Sequence, residues 1–173
     1  NNLLEAQKSV TFESSTSKWG DSSEITVAEG VTLSYENNQW ETEGTLTKTG
    51  GTMSLDSVEW SLNDDTTFSS DHGIVTETLS LNNYLLTLAS ESSDLTVTDN
   101  LTIDDTDAQL IIGLADLTLQ SALTLEDGLL SSTGGMISLE KGGEQSGGSL
   151  DVSDITLKLG DNYTKTGGTL TTT

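Results

Sequence analysis

The chain of 173 residues contains no cysteine, no proline and no arginine, and a single histidine. Without cysteine there is no disulfide, no thiolate nucleophile and no thiolate-ligated metal centre. Six lysines stand against 28 acidic side chains, a net charge of −22. Such a polyanion repels phosphate backbones and anionic lipid, which excludes nucleic acid and membrane surfaces as expected partners. Aromatic residues make up only 5%, and no apolar run approaches the ~20 residues of a membrane-spanning helix. The absence of proline is permissive instead, because every residue keeps a backbone N–H for a sheet ladder.

What is present is a pattern. Leu, Ile, Val and Phe account for 42 of 173 residues, just above the ~20% below which high net charge predicts disorder. Their placement decides for a folded chain. One module recurs: apolar-Thr-apolar, a three-residue spacer, then apolar-Thr-apolar. It reads ITV-AEG-VTL at Ile25 to Leu33, LTV-TDN-LTI at Leu95 to Ile103 and LTL-QSA-LTL at Leu117 to Leu125, with a looser version at Leu150 to Leu157. Alternation of this kind marks a strand with one buried and one solvated face. The Gly-, Asp-, Asn- and Ser-rich spacers mark turns. Helical periodicity is confined to LLEAQK at Leu3 to Lys8, which predicts a short capping helix. A cap or lead-in segment is therefore expected over residues 1–24, ahead of the repeats over 25–173.

A longer period overlies the module. Leu95 and Leu117 are 22 apart, Trp19, Trp40 and Trp60 are 21 and 20 apart, and the Gly-Gly pairs at Gly147 and Gly167 are 20 apart. Val31, Met53, Val75, Val97 and Leu119 form an apolar column at a spacing of 22. Residues 31–49 align without gaps to residues 155–173, with nine of 19 positions identical. Repeats of this length mean stacked units. The expectation is an all-β protein, a parallel β-helix (β-solenoid) with coils of 20–22 residues. Seven or eight coils would span about 35 Å at ~4.8 Å each. An antiparallel sandwich shares the short strands and frequent turns, but does not explain the ungapped match or the common spacing.

The segment LKLGDNYTKTGGTL, Leu157 to Leu170, resembles repeats of bacterial autotransporter passenger domains. Those carry a leucine pair, Gly-x-Asn, an aromatic step and Gly-Gly-Thr. Here Leu157, Leu159, Gly160, Asn162, Tyr163, Thr164, Gly167, Gly168 and Thr169 supply the parts. About two extra residues lie between Tyr163 and Gly167. Similar Thr- and Gly-rich coils occur in filamentous-haemagglutinin-like adhesins. The resemblance covers the last third of the chain, and implies a secreted, surface-displayed β-helix serving adhesion or as a stalk.

Chemistry is sparsely marked. His72 lies in SSDHGIV, a loop, and Asp71 and His72 have serines nearby, yet nothing marks a nucleophile elbow. Carboxylates are too numerous for any pair to stand out as glycosidase acids. Calcium is the one ion whose ligand type is offered, at Asp104, Asp105 and Asp107 in DDTD and in NDD at Asn63 to Asp65, although neither segment fits an EF-hand. Trp19, Trp40 and Trp60 would form a carbohydrate-binding ladder if exposed, or an internal stack if buried. Ice binding would need paired outward threonines, which only Thr45 to Thr49 and Thr169 to Thr173 offer.

The last strand, with Thr169, Leu170 and Thr171, resembles the coil near the N-terminus and is the expected self-assembly edge. Its partner would be a second copy stacked head-to-tail, or neighbouring repeats of a longer chain. The functional expectation is a non-enzymatic, secreted, cell-surface structural solenoid, a filament subunit or adhesin stalk. Its partners are itself and a glycan or cell surface, with no cofactor beyond calcium.

Overall fold

Inward Leu and outward Thr can alternate over three residues only if the backbone is extended, and each short strand must find its hydrogen bonds on a neighbour. The structure, a computed structural model, describes residues 3–13, 16–153 and 155–172. Those residues form seventeen strands and no helix. Every strand pairing is parallel, and partners are separated by about one coil. The chain is thus a β-solenoid of about eight turns, about 40 Å long at ~4.8 Å per turn.

Three faces wind around one core. The first takes Leu3–Ala6 and 24–27, then 66–68, Leu85–Leu88, Gln109–Ile112, Leu129–Ser132, Ser149–Asp151 and Thr169–Thr171. The second takes Val10–Glu13 and 33–36, then 74–76, 95–97, Leu117–Leu119, Met136–Leu139 and Thr156–Leu159. The third takes Thr16–Trp19 and 39–42, then 59–61, 78–80, 100–103, Leu123–Leu125, Gly143–Gln145 and Tyr163–Lys165. The recurring module is therefore one strand, a corner and the next strand. Residues 33–42 and their sequence match 157–166 both run from the second face onto the third.

Coil length is uneven in the first half and regular in the second. Partners are 23 apart at Val10↔Leu33, 24 at Leu85↔Gln109 and 22 at Leu101↔Leu123, then 20 on all three faces from Gln109↔Leu129 onward. The early strand Ser23–Ser70 runs 48 residues without a break. Drawn straight it would exceed ~150 Å at ~3.3 Å per residue; instead it winds through about two turns, bending at Gly30, Gly44 and Gly50, all with positive φ.

Corners are tied to one another as well as the faces. The N–H of Ser149 donates to Gly128 O at 2.8 Å, that of Thr169 to Gly148 O at 2.8 Å and that of Thr166 to Gln145 O at 2.8 Å. Gly128, Gly148 and Gly168, with φ of 68, 56 and 66°, stack at the corner between the third and first faces. A Cβ on Gly148 would lie 2.4 Å from Asp127 O, and one on Gly168 2.0 Å from Gly147 O. Only glycine combines that backbone conformation with that approach. Inside the corners lies one apolar column in which Leu95, Leu101, Leu117, Leu123, Ile137 and Leu139 are fully covered. Each such side chain contributes about 1.5–3 kcal/mol relative to exposure.

Three expectations are corrected. The predicted helix at Leu3 to Lys8 is a strand, Leu3–Ala6, paired in parallel with 24–27; a ladder partner overrides the weak local preference of LLEAQK. The lead-in segment 1–24 is no separate cap, since 3–6, 10–13 and 16–19 form the first coil; its residues 1, 2, 14 and 15 lie outside the described set. The apolar column at a spacing of 22 breaks at Val75, which pairs with Thr96, while Val97 stacks between Thr76 and Leu119. That coil is 21 residues long, so Val75 turns outward. Thr76 takes the inward place, with its hydroxyl donating to Val58 O at 2.9 Å.

Gly148→Ala is expected to cost about 1–3 kcal/mol, the range for a strained residue. Gly30→Ala, at a φ of 72° but with open space around the added carbon, should cost less. Urea unfolding of the two variants checks the order.

Candidate functional site

The tryptophans sit inside the solenoid. Trp40 and Trp60 are fully buried and Trp19 is half-buried in the first coil. Their rings contact in sequence, at 6.4 Å from Trp19 to Trp40, 5.3 Å from Trp40 to Trp60 and 5.4 Å from Trp60 to Phe68, mostly tilted or edge-on. Tyr35 joins from the second face, 6.1 Å from Trp40 and stacked on Phe12 at 5.1 Å. Burial pushes the Tyr35 phenol up to about 12, opposed in part by the nearby Trp40 indole. The Trp60 N–H donates to the Thr42 hydroxyl at 2.8 Å. Among the described residues the Trp19 N–H is buried without a hydrogen-bond partner, and the buried Trp40 N–H has the Tyr35 side chain beside it. A sugar-stacking ladder on Trp19, Trp40 and Trp60 is thereby overturned, since two of its three rings face no solvent. The spacing of 20–21 reflects stacking from coil to coil.

The acidic turns are used by the backbone. In the DDTD turn, Asp105 Oδ1 accepts the Asp107 N–H at 2.9 Å, and the Thr106 hydroxyl donates to Asp127 Oδ2 at 2.9 Å. Asp104, Asp105 and Asp107 are exposed. Asn63 donates to Glu41 at 2.7 Å, while Asp65 Oδ1 accepts the Leu85 N–H one coil away at 2.9 Å. Among the described residues no three His, Asp or Glu side chains are placed to hold a metal ion. A second use was not legible in the sequence. Asp94 Oδ1 accepts the Asp116 N–H at 2.8 Å, and Asp116 Oδ1 accepts the Met136 N–H at 2.7 Å. Each carboxylate caps a backbone donor of the coil above, where the corner interrupts the ladder. The signal available was an Asp directly before an apolar-Thr-apolar strand.

One charged cluster spans two coils. Lys48 occupies an inward position on the first face and is only 1% exposed. Its ammonium donates to Gly50 O at 2.6 Å, to Gly51 O and to Asp71 Oδ1 at 3.1 Å. Asp71 also accepts the Gly50 N–H at 2.6 Å and lies 3.0 Å from His72 Nδ1. Burial raises its carboxyl, but the bonds from His72, the Gly50 amide and Lys48 outweigh this and hold it at about 2. Three donors around one carboxylate stabilise the charged form. The Ser70 hydroxyl, nearest in sequence, is committed to the backbone of His72, donating to its O at 2.6 Å. A His–Asp pair is present, but among the described residues no serine hydroxyl hydrogen-bonds the imidazole. As arranged, the cluster is a clamp between coils.

The outer faces are polar and uneven. The outward positions between Thr45–Thr49 and the last strand carry Thr67, then Leu85 and Thr87, Gln109 and Ile111, Leu129 and Ser131, and Ser149 and Asp151 in register. From Gln109 onward the outward threonines of this face give way to other residues until the last strand. A shallow groove of about 280 Å³ on the third face is lined by Glu59, Thr78, Ser80, Asn82, Asn100 and Asp104. It has no aromatic wall of the kind that usually fixes a small ligand. No protein-family model matches the chain, and neither a curated protein nor a solved structure matches it.

Two outcomes are expected. After Trp19→Phe, the remaining indole fluorescence should be blue-shifted and resist iodide quenching, as befits two buried rings. Lys48→Met should lower stability by about 1–3 kcal/mol, the cost of leaving buried carbonyls unpaired; Asp71 can hydrate, which keeps the loss below that of a stranded buried charge. Because the folded Asp71 carboxyl lies below its ordinary value of 3.8, its contribution is present above pH ~4 and is lost as pH falls toward ~2. The gap in urea midpoint between the protein and Asp71→Asn should close over that window.

Proposed function

We propose that the chain is a non-enzymatic, extracellular structural solenoid of a microbial surface, either a self-associating filament subunit or a segment of an adhesin stalk. The observation that carries this is the continuity of the ladder. Backbone hydrogen bonds link each coil to the next across all three faces and through the corners, around one connected apolar cluster. Such a stack is stiff along its axis and repeats without a natural stop. Its side chains do the rest of what a scaffold needs: the interior is Leu-rich, and the exterior carries Ser, Thr and carboxylates that keep it dispersed.

Export fits the Ser/Thr-rich polyanionic surface and the resemblance of residues 157–170 to passenger-domain repeats. Antibody labelling of intact source cells tests it, paired with negative-stain imaging of the material released. Labelling of intact cells and axial assemblies or long rods are expected; labelling only after lysis would overturn the surface role.

A further inference from the structure

One short motif is not used by the fold. Asn100, Leu101 and Thr102 form an Asn-x-Thr triplet, the acceptor pattern for N-linked glycosylation. Such triplets arise readily in a chain rich in Ser and Thr, so the pattern alone carries no weight. Its placement does. Asn100 lies in the strand Leu95–Ile103, paired with Thr78 in one neighbouring coil. The other neighbour, Leu123–Leu125, pairs with 101–103. Leu101 and Ile103 are buried, which turns Asn100 and Thr102 outward, and Asn100 is exposed although its coil is covered on both sides.

The Asn100 amide is also uncommitted. Other asparagines spend theirs on the fold: Asn38 donates to Phe12 O at 2.6 Å, Asn63 to Glu41 Oε2 at 2.7 Å and Asn82 to Leu62 O at 2.7 Å. Among the described residues the Asn100 amide nitrogen donates to none. Its Oδ1 accepts the Thr102 hydroxyl at 3.3 Å, which holds the carboxamide and leaves Nδ2 free. Asn100 and Thr102 also line the shallow groove of the third face, about 280 Å³, together with Thr78, Ser80 and Asn82. Its hydroxyl and amide groups suit a sugar ring, but without an aromatic wall they hold a free ligand poorly. A sugar joined to Asn100 is held there by its own bond, and the tether supplies the effective concentration that the contacts lack.

We propose that Asn100 carries an N-linked glycan whose first sugar lies in this groove. This rests on the extracellular reading above, because the transferase and its donor, an oligosaccharide activated as a polyprenyl diphosphate, belong to the export route. Asn100 Nδ2 forms a bond to the anomeric carbon as the bond from that carbon to the diphosphate oxygen breaks. The polyprenyl diphosphate leaves with the electron pair, and one amide proton passes to a base of the transferase. The fold accepts the product without rearrangement, since Nδ2 gives up no hydrogen bond. Asn162-Tyr163-Thr164 repeats the triplet three coils on, with Thr164 in the column of Thr102 through Thr124 and Glu144. The site assigned is Asn100, where the neighbouring coils build the groove.

The 173-residue chain, secreted from cultured animal cells behind a signal sequence, tests the site by glycopeptide mapping before and after peptide-N-glycosidase. Asn100 is expected to be occupied in most molecules. Thr102→Ser, which keeps the hydroxyl, should retain the glycan; Thr102→Val, which keeps the shape, should lose it with the urea midpoint unchanged. Trimming the glycan from the folded protein should speed hydrogen exchange of the amides at 78–82 and 100–102. An unmodified Asn100, or a glycan that survives Thr102→Val, would overturn the inference, and unchanged exchange would remove the sugar from the groove. The same mapping on protein recovered from source cells separates the two readings. Unmodified Asn100 on protein that labels on intact cells removes the glycan and leaves the surface role standing. Labelling only after lysis removes the surface role and, with it, the donor.

Discussion

Everything in this molecule follows from the demand that each coil's backbone donors and acceptors be met by the coils above and below. Within one turn a strand has no partner, because consecutive strands lie on different faces. The N–H and C=O groups of Leu117–Leu119 have to be satisfied by 95–97 on one side and 137–139 on the other. A buried polar group left unmet costs about as much as several such contacts return. Coil length must therefore be held close enough that strand sits on strand. Where it varies, between Leu55 and Glu59 and between Thr76 and Thr78, the register shifts through an irregularity rather than losing the pairing.

Corners are where this demand is hardest to meet, and the composition reflects it. Glycine at Gly128, Gly148 and Gly168 lets carbonyls approach within the space a side chain would fill. Aspartate at Asp94 and Asp116 supplies an acceptor that the backbone lacks there. Lys48 does the reverse, bringing a donor inward to the carbonyls of Gly50 and Gly51. At the other end of the stack Gln145, also fully buried, donates to Thr169 O at 2.8 Å and accepts from the Tyr163 hydroxyl at 3.0 Å. The polar groups inside this solenoid are thus fasteners for backbone ends. Their chemistry is spent on the fold.

The face-and-corner plan was legible because it rests on two short-range rules, alternation along a strand and turn residues at corners, repeated often enough to reveal a period. The three faces and the equivalence of 31–49 with the last coil followed. What stayed hidden depended on single-residue phase. A coil of 21 rather than 22 residues turns Val75 outward and Thr76 inward, and no composition rule fixes that. Lys48 reads as one more surface lysine in TLTKT until the alternation is anchored by Leu46 beside it. The tryptophan spacing was compatible with display or burial, and only their inward phase decides between them. LLEAQK has ordinary helix formers, and becomes a strand because 24–27 offers it a ladder.

Charge placement completes the physical picture. A chain with net charge −22 resists compaction, and the solenoid lessens this by setting carboxylates at corners and outward positions, where water screens them over ~8–10 Å. Lysine in the middle coils would relieve the repulsion more directly, for instance by pairing across coils as Lys18 does with Glu41. Between residues 21 and 140 the one lysine is Lys48, which is buried and paired with Asp71. Fold stability alone does not call for such a distribution, since exposed ion pairs contribute only about 0–1 kcal/mol wherever they sit.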